Sequence, residues 1–221
     1  MLVFVLAGCS DTGQQMAFLS QSNIMRSVGV TALREARLAD GAVRIVGLSG
    51  YCVDRSSVQA NAAVIMPCAN LGARRADWPK TRAAFLVTVG QQGGADILLA
   101  PDATAVFLQS TQGRRMLSRT NDPKTIDVTR LISRNDAIYI LVQDQSPNPF
   151  GQNHLRNWRA FTLLNGHLTT IVATGYGDIN LAEDNGFALL QAFVKRLRAE
   201  NSDYVETAVT RAGMIPFFVE Q

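Results

Sequence analysis

The spacing of apolar positions shifts from helix-like to strand-like near residue 42. A helix-like stretch from Ile24 to about Asp40 leads into Ala42-Val43-Arg44-Ile45-Val46-Gly47-Leu48, whose partial alternation and β-branched content predict a strand. Tyr51-Cys52-Val53 and the run from Ala62 to Cys68 are also β-like. Ala83-Ala84-Phe85-Leu86-Val87-Thr88-Val89 is nearly all apolar, the pattern of a central strand covered on both faces, and Gln91-Gln92-Gly93-Gly94 closes it as a turn. Asp102 is placed to cap a helix from Ala103 to near Arg119, with Val106, Phe107, Met116 and Leu117 as its apolar positions and Gly113 as a weak point.

Period two returns in Thr125–Leu131, and Ala137–Val142 follows it after a short polar turn, which makes a hairpin. Residues 145–153 are too rich in Pro, Gly and Asn for regular structure. A second hairpin follows: Trp158–Leu164 turns through Asn165-Gly166 into Leu168–Ala173. Asn180 with Glu183 three residues on has the form of a capping box, and Gly186, Leu190, Phe193 and Leu197 line one face of a closing helix. The order predicts an α+β domain, an antiparallel sheet covered by helices. It spans residues 24–201 and is followed by a tail, 202–221, whose Met214–Val219 is apolar enough to need a packing partner.

Composition narrows the function classes. Of 221 residues, 47% are hydrophobic and 18% charged, which suits a packed core and excludes wholesale disorder. No apolar run reaches the roughly 18 residues of a membrane-spanning helix. The net charge of +3 comes from dispersed arginines, and pairs such as Arg74-Arg75 and Arg114-Arg115 lack interleaved aromatics, so no nucleic-acid partner is expected.

The first residues carry an address. Met1 to Cys9 is an apolar run ending in Leu6-Ala7-Gly8-Cys9, which resembles the lipobox of bacterial lipoproteins. The resemblance implies removal of residues 1–8, a lipid on the Cys9 thiol, and a location in the bacterial cell envelope, facing the periplasm. Residues 9–23 are then a polar tether, and two acyl chains give the stable membrane anchoring that one does not. The alternative is a buried strand with Cys9 as a free core thiol, in a cytoplasmic protein with three reduced cysteines. With Cys9 committed to lipid, Cys52 and Cys68 remain as an even pair in an oxidising compartment and are expected to form a disulfide.

From about Tyr51 to Asn201 the layout resembles the PsbP-like fold of several small bacterial envelope lipoproteins. The helix near 103–118 between strands, the paired strands across Asn165-Gly166 and the closing helix 181–200 carry the likeness. It implies a binding or assembly role.

Catalytic motifs with a defined mechanism are missing: no Gly-x-Ser-x-Gly elbow, P-loop, His-Glu-x-x-His, Cys-x-x-Cys or dinucleotide fingerprint occurs. The acidic run 178–186 fails the spacing of a calcium loop, so neither a metal nor a cofactor is expected. Loops 145–157 and 174–180 leave the open end of the second hairpin, which makes His154, Arg156, Tyr176 and Asp178 the candidate contacts for a ligand or partner. The expected function is a non-enzymatic, membrane-anchored lipoprotein that binds an envelope protein or a small ligand. The alternative is an envelope hydrolase with dispersed residues near His154.

Overall fold

The computed structural model describes residues 31–73, 76, 78–134, 136–147, 150 and 155–202. The strands are β1 (Ala32–Leu33), β2 (Glu35–Leu38), β3 (Val43–Val46), β4 (Tyr51–Asp54), β5 (Ala62–Pro67), β6 (Ala84–Gln92), β7 (Ile126–Ser133), β8 (Ile138–Asp144), β9 (Arg156–Leu164) and β10 (His167–Thr174). The helices are α1 (Asp96–Leu99), α2 (Pro101–Gln109), α3 (Thr111–Leu117) and α4 (Glu183–Glu200). Eight strands form one antiparallel sheet in the order β1-β4-β5-β6-β10-β9-β8-β7, and β2 and β3 pair as a separate hairpin. The chain is α+β, with helices on both faces of the sheet.

Residue parity sorts the core. On one face Phe85, Tyr139, Trp158 and Ile171 meet Leu190, Phe193, Val194 and Leu197 of α4 and Val43 and Ile45 of the hairpin. Phe193 stacks against Phe85 at 4.5 Å between ring centroids, and Phe187 sits between Tyr139 and Trp158 at 5.4 and 4.6 Å. On the other face Leu108 of α2 and Leu117 of α3 cover Ile138, Ile140, Val142 and Phe161, while Leu71, Phe150 and Tyr176 cover Val64, Leu86 and Val172. Each such side chain contributes roughly 1.5–3 kcal/mol by leaving water, which is why the first part of β6, buried on both faces, reads as a nearly unbroken apolar run.

The two long hairpins form as expected, β9–β10 turning through Asn165 (φ 49) and Gly166 (φ 78). Cys52 of β4 and Cys68, just after β5, are joined by a disulfide that staples these neighbouring strands, with 4.8 Å between Cα atoms. Among the described residues no helix is long and apolar enough to cross a membrane.

Three expectations are corrected. Residues 31–40 are not helical: Ala36 and Leu38 are buried between exposed Glu35 and Arg37, and Ala39, Asp40 and Gly41, all at positive φ, turn the chain back into β3. Residues 24–30 lie outside the described set. The helix placed at 103–119 is two helices, starting at Pro101 and broken at Ser110, which leaves helical geometry (ψ 164) and caps α3 by accepting from the Gly113 N–H at 3.1 Å. Gly113 is required there, because a Cβ would lie 2.0 Å from the Phe107 carbonyl oxygen. The box at Asn180 and Glu183 does not form either: Ala182 is the N-cap of α4, and the Glu183 carboxylate is held by arginines instead.

Candidate cleft at the strand ends

β8 ends, β9 begins and β10 ends at the same end of the sheet, and the segment 175–182 leads from β10 into α4 beside them. Leu181 precedes the helix and Gly186 lies one turn inside it. A Cβ on Gly186 would sit 3.2 Å from Leu181 and 3.3 Å from Trp158, so glycine lets the helix start lie close over the strand ends. Between them opens a cleft of about 440 Å³, lined by Gln143, Leu155, Arg156, Gly175, Asn180, Leu181 and Ala182. A smaller cavity of about 150 Å³ reaches inward from Arg156 and Leu181 to Leu141, Trp158 and Ala173.

Charge at the mouth is organised around Glu183. Its carboxylate lies 3.1 Å from Arg130 of β7 and 3.5 Å from Arg156 of β9. The Trp158 indole N–H donates to the Glu183 carbonyl at 2.9 Å, and Arg130 stands over the same indole at 5.9 Å. Both guanidiniums are more than half exposed, so these pairs add little stability and act by orienting the arginines. An acid in the first turn of α4 also complements the helix dipole. The lining thus offers apolar surface with a guanidinium and two amides at its rim.

Of the expected contacts, Arg156 lines this cleft. Tyr176 is buried on the opposite face of the sheet, where its hydroxyl donates to Asn70 Oδ1 at 2.8 Å and burial raises its pKa. Asp178 is exposed in the turn that Tyr176 and Ile179 close by mutual backbone hydrogen bonds. His154 and Cys9 lie outside the described residues. Among the described residues no cluster of His, Cys, Asp or Glu could hold a metal ion. Sequence reasoning did not mark Gln143 and Leu181 and took Asn180 and Glu183 only as a capping box, since their convergence at one end of the sheet is what makes them site residues.

A second polar cluster lies on the far face. Asp144 Oδ2 is 2.8 Å from Arg159 and 3.2 Å from Arg119. Arg159, 2% exposed, also donates to Asn157 Oδ1 at 2.9 Å and to the Leu117 carbonyl. Arg119 donates to the Ser146 and Pro147 carbonyls at 2.9 and 3.1 Å, which ties the chain after β8 to the end of α3. An arginine inside the apolar strand Trp158–Leu164 was the sequence signal for this cluster.

No family model matches the chain, and no curated protein is similar enough to match. Among solved structures it is similar to the Ran-binding protein Mog1p of Saccharomyces cerevisiae, at 13% identity and a TM-score of 0.40 over 73% of this chain and 92% of that one. A mutant of Mog1 is similar at 13% identity and a TM-score of 0.35 over 76% and 92%. Likeness at this level carries no argument about partner or activity.

Proposed function

We propose that the chain is a non-enzymatic binding module of the bacterial cell envelope, lipid-anchored through Cys9 and facing the periplasm, which takes a protein segment or small ligand in the cleft beside α4. The observation that carries the binding reading is the cleft itself: about 440 Å³ of space, within the usual range for ligand sites, with Leu155, Leu181 and Ala182 as apolar lining and Arg156, Gln143 and Asn180 as donors. The Cys52–Cys68 disulfide supports an oxidising compartment, and the resemblance to PsbP-like envelope lipoproteins fits a binding or assembly role. Lipidation rests on the sequence Leu6-Ala7-Gly8-Cys9.

A photo-crosslinking residue placed at Leu181 in the native host tests the cleft, with one at exposed Asp102 as reference. A discrete adduct from Leu181 and not from Asp102 is expected. No adduct, or the same adducts from both positions, overturns the reading. Intact mass of membrane-extracted protein, with and without reduction, tests the address. A chain starting at Cys9 with added acyl mass is expected, and an unlipidated chain overturns it.

A further inference from the structure

On the face of the sheet turned away from α4, Asn157 and Thr174 stand next to each other. Ala173 pairs with Trp158, so one step further along the antiparallel ladder Thr174 comes opposite Asn157, and both side chains leave the sheet on the side of Val142 and Val172. Each residue is 3% exposed, yet Asn157 Nδ2 and Thr174 Oγ1 have no hydrogen-bond partner. Turning the amide does not relieve this, because Asn157 Oδ1 already accepts from Arg159 Nε at 2.9 Å, which fixes Nδ2 as the free donor. Unpaired buried polar groups are costly and rare. Two of them in facing positions, aimed the same way, call for a third group between or above them.

The surrounding charge indicates which kind of group. Among the described residues Asp144 is the one carboxylate that contacts Arg159 or Arg119, and the three side chains are 0%, 2% and 13% exposed. Two guanidiniums against one carboxylate leave a buried positive surplus, which a low-dielectric surrounding penalises unless an anion answers it. Burial lowers the Arg159 pKa to about 10; Asp144 opposes that fall and the neighbouring Arg119 adds to it. The neighbours of Thr174 on this face are apolar. Ala84 pairs with Thr174, and Leu86, Val172 and Phe150 pack on the same side.

We infer that Asn157 and Thr174 form the floor of a buried subsite for a carboxylate carried on a short apolar stem. Asn157 Nδ2 and Thr174 Oγ1 are its direct donors, and the Arg159–Arg119 surplus supplies the field. Every guanidinium nitrogen already has a partner among Asp144, Asn157 and main-chain carbonyls, and the part assigned to the arginines is electrostatic. This subsite is separate from the cleft beside α4, and either one stands if the other fails.

The test uses the full chain with sodium butyrate as probe and butyramide, its neutral counterpart, as control. Butyrate is expected to raise Tm saturably and to shift the Asn157 side-chain amide resonance, assigned by its loss in Asn157→Leu, while butyramide does neither. Thr174→Val removes the unpaired hydroxyl at nearly constant shape. It is expected to keep or raise the Tm of the ligand-free protein while weakening butyrate about tenfold or more, as loss of a hydrogen bond to a charged group does. An equal response to butyrate and butyramide, no saturable response, or undiminished butyrate binding by Thr174→Val overturns the inference. Should a variant fail to fold, the butyrate and butyramide comparison on the unaltered chain decides.

Discussion

Asp144→Asn is the most direct test of how the far face is held together. The substitution keeps the shape of the side chain and the acceptor for the Ser146 N–H, which now bonds Asp144 Oδ1 at 2.9 Å. It removes the charge that faces Arg159 at 2.8 Å and Arg119 at 3.2 Å. Arg119 keeps slight water contact at 13% side-chain exposure, whereas Arg159 at 2% has almost none. Breaking a buried pair from one side costs about 3–5 kcal/mol, because the remaining charge stays buried without its partner. That is a large share of the roughly 5–15 kcal/mol that holds a typical domain folded. For a chain of this size each kcal/mol lowers Tm by about 2–4 °C, so a fall of about 6–20 °C is expected. Urea unfolding followed by circular dichroism should show the midpoint fall with an unchanged slope. The double variant Asp144→Leu with Arg159→Met removes charge from both sides and should lose less than Asp144→Asn alone. A loss under about 1 kcal/mol for Asp144→Asn, or a double variant as damaged as the single one, would refute the reasoning.

Three further outcomes follow from particular contacts. Tyr51, Tyr139 and Tyr176 have phenols whose pKa is raised by burial, above the value of about 10 that they take when unfolded. Their contribution is therefore complete below about pH 10 and is lost as pH rises beyond it, so in a Tyr204→Phe background tyrosinate absorbance should appear together with alkaline unfolding instead of before it. Cys52→Ser with Cys68→Ser opens a link of sequence separation 16 and should cost about 3 kcal/mol in a denaturant titration, matched by the reduced wild-type chain. Gly113→Ala would set a Cβ 2.0 Å from the Phe107 oxygen, and the backbone shift it forces should cost about 1–3 kcal/mol by calorimetry, the reverse of the gain that alanine gives in an unconstrained helix.

The elements that sequence reasoning found carry their signals within a few residues. The nearly all-apolar first half of β6, the Asn165-Gly166 turn and the i, i+3 and i, i+4 spacing of Gly186, Leu190, Phe193 and Leu197 each state a local geometry. The misread elements had signals of comparable strength that non-local structure overrode. Ala36 and Leu38 fit a helical stripe as well as a strand, and the reversal at Ala39–Gly41 together with pairing to β3 decides between them. Glu183 fits a capping box until Arg130, 53 positions earlier in the chain, takes its carboxylate. Side-chain patterns also say which face of an element is apolar without saying which side of the sheet will receive it. Arg156 and Tyr176 leave the same end of the sheet yet lie on opposite faces, one in the cleft beside α4 and one under the chain that follows β8. The binding residues were the hardest to read for the same reason. The cleft draws on β8, β9 and the approach to α4, and the polar floor on the far side draws on β9 and β10, so each becomes a site only when the ladder register brings those strands level.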